Sequence, residues 1–132
     1  VGLASHFGPT KIIPQTSISG SGGLGGVFTD NKGNQIVGSP VGGIINGAEK
    51  ITVWINVTQI SGTLGVFGET SPDGENLTWG TVLGGNSGIT SPGLYTFSYN
   101  GSPVSMIGFR WTLGTSSDTA TIDGIWFEGS LA

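Results

Sequence analysis

The sequence contains no cysteine. Disulfides, thiolate nucleophiles and thiolate zinc sites are therefore excluded, and the redox compartment is not readable. Charge is scarce: 9% of the 132 residues are Asp, Glu, Lys or Arg, and the formal net charge is −4. Lys11, Lys32, Lys50 and Arg110 are the cations, and they are scattered. Nucleic-acid binding rests on clustered Lys and Arg that neutralise phosphates, so nucleic acid is not expected as a partner. The single histidine, His6, lies near the start of the sequence, away from the buried partners that Ser-His-Asp catalysis needs. No apolar run approaches the roughly 20 residues of a membrane helix. The opening "VGLASHFGPTK" lacks a basic region followed by an apolar stretch, so no signal peptide is expected there.

Helix formers are also sparse, and Gly or Pro interrupts nearly every window that could hold three helical turns. Glycine is abundant instead, at 26 of 132 residues, well above the usual ~7%. Disorder usually combines low hydrophobicity with high charge. Here the mean hydropathy is slightly positive and the charge is low, which points to a folded all-β domain with many short turns.

Period-two patterns carry the strand assignments. In "KITVWINVT", Ile51, Val53, Ile55 and Val57 share one face, while Thr52, Trp54, Asn56 and Thr58 share the other. "GTLGVFGET" places Leu64 and Val66 on one face and Phe67 with Glu69 on the other. "SPDG" then reads as a turn, with Pro72 fixing φ and Gly74 free to adopt positive φ. "NLTWGTVL" returns as a strand with Leu77, Trp79, Thr81 and Leu83 together, completing a three-strand meander. "GGNSGITSPG" is expected to be a loop. "LYTFSY" is a strand aligning Tyr95, Phe97 and Tyr99, and "NGSP" a turn. In "SMIGFRWTL", Ile107, Phe109, Trp111 and Leu113 face inward, while Met106, Arg110 and Thr112 face outward. In "TATIDGIWFEGSL", Thr121, Asp123, Ile125 and Phe127 share one face; Ala120, Ile122, Gly124 and Trp126 share the other. "GVFTDNKGNQIVG" reads as a hairpin with a "DNKG" tip.

Residues 1–22, with "TSISGSGGLGG", read as a flexible Gly/Ser-rich N-terminal arm or weakly ordered edge. Residues 23–132 form the domain: an antiparallel β-sandwich or jelly roll of roughly eight strands.

The residues that could carry chemistry are few. Glu69, Asp73 and Glu75 surround the "SPDG" turn, but exposed acids at a turn tip keep ordinary pKa values and suit general-acid work poorly. Asp and Asn in "TDNKGN" and "PDGEN" could offer oxygens to calcium, although neither stretch has a calcium-loop spacing, and turns favour the same residues. "GSGGLGG" lacks the Lys-Ser/Thr ending of a phosphate loop. Asn56-Val-Thr58 and Asn76-Leu-Thr78 match the glycosylation triplet, which arises by chance in a Thr- and Asn-rich chain. No catalytic, cofactor or metal-binding residues are assigned, and no enzymatic activity is expected. Trp54 and Trp79 could stack sugar rings, which would make the chain a carbohydrate-binding module of a viral fibre or secreted protein. Interface packing weighs more, because Trp combines a large apolar body with one N–H donor.

Three motifs, at Val57–Thr63, Glu69–Trp79 and Ile107–Thr115, carry a resemblance. A strand ending V-T-x-[IV]-S-G-T, an E-[ST]-x-D-G-x-x-W turn and an [IV]-[RG]-[FV]-R-W-T-[LV]-G-[GT] strand resemble small phage virion structural proteins of the capsid decoration, or cementing, type. The resemblance covers about residues 49 to 129, and the turn carries one extra residue before its Trp. It implies a β-sandwich on the virion surface that assembles as a homotrimer and stabilises the lattice of the major capsid protein. Leu3, Phe7, Ile12 and Ile13 of the arm, together with Trp54 and Trp126, are the expected contact residues.

Overall fold

A computed structural model describes residues 6–19, 27–29, 35–37, 44–75 and 78–130. These form nine strands: β1 (His6–Ile13), β2 (Thr16–Ser19), β3 (Val27–Thr29), β4 (Gln35–Val37), β5 (Ile44–Ser61), β6 (Leu64–Thr70), β7 (Thr81–Ile89), β8 (Gly93–Leu113) and β9 (Thr119–Ser130). They make two antiparallel sheets of a β-sandwich, with no helix among the described residues. Sheet I runs β1 and β2, then β9, β5 and the first part of β8. Sheet II runs β3, β4, the last part of β8, β6 and β7.

β5 has the clearest pattern in the chain. Ile51, Val53, Ile55 and Val57 are all buried, as the alternation predicts. β-branched side chains suit this role because they are stiff and fill a pleated surface. Across the strand pairs, Val53 lies beside Phe97 and Phe127, and Ile55 beside Tyr95 and Ile125. Leu64, Val66, Ile107 and Phe109 supply the facing layer from sheet II. Each buried side chain of this kind contributes about 1.5–3 kcal/mol relative to exposure.

The structure corrects the sequence reading of several strands and turns. β5 and β6 do not pair as a meander: β5 lies in sheet I and β6 in sheet II. "NGSP" is no hairpin turn. β8 continues through it, pairing with β5 as far as Met106 and with β6 from Ile107 onward. The Tyr99 hydroxyl donates to the Ser102 carbonyl at 2.7 Å within this stretch. "GGNSGI" belongs to β7 rather than a loop. Gly84 and Gly85 reflect close packing, since a Cβ at Gly85 would stand 2.5 Å from the Val66 carbonyl oxygen, whereas Gly88 takes a positive φ of +73°. The return strand therefore begins at Thr81, and Trp79 precedes it. Strict alternation also fails in β9. Pairing shifts between Asn56 and Val57 of β5, where Gly124 and Ile122 are the β9 partners, leaving Asp123 as the extra residue of a bulge. A bulge reverses the parity of everything beyond it. Ala120 and Ile122 are thereby buried on the same side as Ile125 and Phe127.

The 3-residue strands β3 and β4 pair as the expected hairpin; its tip lies outside the described residues. Within the expected arm, residues 6–19 lie along the outer edge of β9, with β1 on one side of the bulge and β2 on the other. Ile13 and Ile18 enter the core from these strands. Ile18→Ala should therefore lower unfolding stability by about 2–5 kcal/mol, as for other buried Ile sites. Urea denaturation measures it; a change below about 0.5 kcal/mol, the range of an exposed position, contradicts this packing.

Candidate functional site

The outer face of sheet I is set by the register of four strands. Lys11 of β1 pairs with Trp126 of β9, Trp126 with Trp54 of β5, and Trp54 with Thr96 of β8. The two indoles are therefore direct cross-strand neighbours. One row to one side, Glu128 pairs with Thr52; one row to the other, Asn56 pairs with Gly124 and Leu94. Pro9, Trp54, Asn56, Leu94, Trp126 and Glu128 line a shallow groove of about 400 Å³. Leu94 is 62% exposed at its edge, and both indoles are partly buried.

Lys11 organises one side of this groove. Its ammonium lies 5.0 Å from the centroid of Trp126, a cation–π contact. The Lys11 stem runs over Gly124, where an added Cβ would overlap Lys11 Cε. Glycine at 124 is thus the space in which the lysine lies.

Of the contact residues expected from the sequence, the structure brings Trp54 and Trp126 together. Ile13 is a core residue, and Ile12, partly buried, packs against the core. Leu3 and the Phe7 side chain lie outside the described residues. Pro9, Asn56, Leu94, Lys11 and Glu128 were not singled out, because their meeting depends on strand register rather than on any one strand's pattern. Trp79 is not a surface platform: it is 1% exposed and forms a small second cluster with Met106. Met106 does lie on the face of β8 away from Ile107 and Phe109, but the loop between β6 and β7 covers it.

That loop, "SPDGENLTWG", is locked by hydrogen bonds. Gly74 takes φ +75°, as the turn requires. Ser71 Oγ accepts from the Gly74 N–H at 2.9 Å. Asp73 Oδ1 accepts from the Thr78 hydroxyl at 2.6 Å and from the Glu75 N–H at 3.0 Å. Glu69 is not solvated, contrary to the sequence reading. Its side chain is 2% exposed and bonds Arg110 Nε through Oε2 at 2.8 Å, while the Arg110 side chain is 20% exposed. The Arg110 guanidinium also stands 4.8 Å from the Phe67 ring centroid.

Asp118 performs a similar task at the opposite end of β6. It accepts from the Thr115 hydroxyl at 2.6 Å and from the Thr115 and Thr63 N–H groups, both at 3.1 Å. The β8–β9 turn is thereby tied to the β5–β6 turn. Hydrogen bonds to a carboxylate favour its ionised form. The Thr78 hydroxyl, then the Glu75 N–H, hold Asp73 below the ordinary value of 3.8. The Thr115 hydroxyl, then the Thr63 N–H, do the same for Asp118. No group of three His, Cys, Asp or Glu side chains that could hold a metal ion occurs among the described residues.

No family model matches this chain, and no curated protein matches it. Among solved structures, it aligns with a chain from the work titled "Bacillus endospore appendages form a novel family of disulfide-linked pili". The alignment covers 100% of both chains at 13% identity, with a TM-score of 0.41.

Two outcomes are expected. Arg110→Met leaves Glu69 buried without its counter-charge and should cost about 3–5 kcal/mol in urea unfolding. Adding Glu69→Met should recover most of that loss. Asp73 and Asp118 ionise more readily in the folded chain than in the unfolded one. Their contribution is therefore present above the ordinary carboxylate range and is lost as pH falls through the lowered folded values. Between pH 5 and pH 2, the urea midpoint should fall further in the parent chain than in Asp118→Asn.

Proposed function

We propose that this chain is a non-catalytic structural subunit of a virion, a capsid decoration protein. In this reading it assembles as a homotrimer, binds the major capsid protein lattice and stabilises it, with no cofactor. Its contact with the capsid runs through the N-terminal strands, which form the terminal edge of sheet I in the described part of the sandwich.

The observation that carries the reading is the Glu69–Arg110 ion pair. It joins two of the three motifs that resemble decoration proteins, and it lies in the scaffold rather than in a cleft. The third motif is joined through the backbone, where the Gly114 N–H donates to the Thr63 carbonyl at 3.0 Å. The motif carboxylates fix turn and sheet geometry. That supports a role in which shape and rigidity matter, because bond cleavage by paired acids needs two carboxyls facing one substrate. A chain so low in charge also suits a surface partly covered by neighbouring subunits.

Native mass spectrometry of the purified chain should show a trimer. Incubation with shells of the major capsid protein should add mass to the shells and raise their melting temperature. A monomer that leaves shell mass unchanged would refute the proposal.

A further inference from the structure

We infer that the groove on the outer face of sheet I binds a glycan built of pyranose rings, with Trp54 as the stacking surface. This goes beyond the structural role proposed above and does not depend on it.

The argument begins with the indole pair. An indole face is electron-rich and meets the weakly positive C–H face of a pyranose. Lys11 already lies over Trp126 and not over Trp54. Trp126 thus serves as the braced neighbour, while Trp54 presents the surface for a ligand. Register then places one polar side chain on either side of the indole row. Asn56 is two residues along β5 from Trp54, and Glu128 is two residues along β9 from Trp126, in the opposite direction. At about 3.3 Å of rise per residue, each lies roughly 7 Å from the indole row. Equatorial hydroxyls of a stacked ring radiate sideways, toward both groups. The Asn56 amide can donate and accept, and the Glu128 carboxylate accepts strongly from hydroxyls.

The dimensions agree with this occupant. A volume of about 400 Å³ falls at the lower end of the ~300–1,000 Å³ range of small-ligand sites. Pro9 and Leu94 line opposite ends of the groove, and Thr52 and Thr96 are the cross-strand partners of Glu128 and Trp54 beside it. Protein interfaces, by contrast, are depleted of charge at their centre, whereas a carboxylate lines this groove. Glu128 is the single carboxylate among its lining residues, so the arrangement suits holding a glycan rather than cleaving one.

The test is an array of neutral oligosaccharides of glucose, galactose and N-acetylglucosamine, probed with the intact chain, with positives titrated by calorimetry. Binding to one class of pyranose oligosaccharide is expected. Trp54→Ala and Asn56→Ala should each weaken it by about tenfold or more, while Trp54→Phe retains part of it. Val82→Ala, at an exposed site on β7, should leave it unchanged. Melting curves identify any variant that fails to fold, in which case Asn56→Ala and Trp54→Phe decide. The inference is overturned if no oligosaccharide binds or if binding is indifferent to both Trp54 and Asn56. It is also overturned if capsid shells, and no glycan, are the ligand that these substitutions release.

Discussion

β5 lies between β9 and β8, and its register is therefore held from both sides. That double pairing is the constraint on which the rest of the molecule depends. The inward row from Ile51 to Val57 forms the centre of the core. The outward row places Trp54 beside Trp126 and Asn56 beside Leu94. A slip of one residue would expose the four β-branched side chains and bury the indole. Core and groove are thus two faces of one pairing, and hydrophobic burial on one side positions the surface residues on the other.

The bulge in β9 makes this arrangement possible. Ile122 and Ile125 both enter the core although they are three positions apart, a spacing that uninterrupted alternation forbids. Asp123 absorbs the extra residue. Beyond it, Gly124 and Trp126 face outward, where Lys11 can lie across the one and above the other. The split of the N-terminal segment into β1 and β2 follows the same irregularity, with Pro14 and Gln15 spanning it. Pro14 cannot donate to a ladder, so the interruption falls where a donor is missing.

Much of the all-β architecture was legible in the sequence, because alternation is a direct imprint of a two-faced strand. β5, the aromatic row of β8 and the inward set from Ile107 to Leu113 were each readable for that reason. Sheet membership was not readable. Nothing in "QISGTLG" reveals that the chain changes sheets at Gly62 and Thr63 rather than folding back as a neighbour. β7 was hidden by composition, since glycine chosen for close approach to Val66 looks the same as glycine chosen for a loop. Glu69 misled for a related reason. An acid beside a turn is usually solvated, and its burial depended on Arg110, which lies 41 positions later. Trp54 and Trp126 were each identifiable as outward-facing residues. Their adjacency was not, because it requires the register across β5 and β9.

β8 belongs to both sheets, and this has a mechanical consequence. Its first part is bonded into one layer and its last part into the other, with no intervening linker. Tension applied to either layer is transmitted along a continuous backbone into its counterpart, so the layers resist sliding past one another even where only side-chain packing joins them. Opening one layer also loosens a strand of the second, which couples their amide protection into a single cooperative unit.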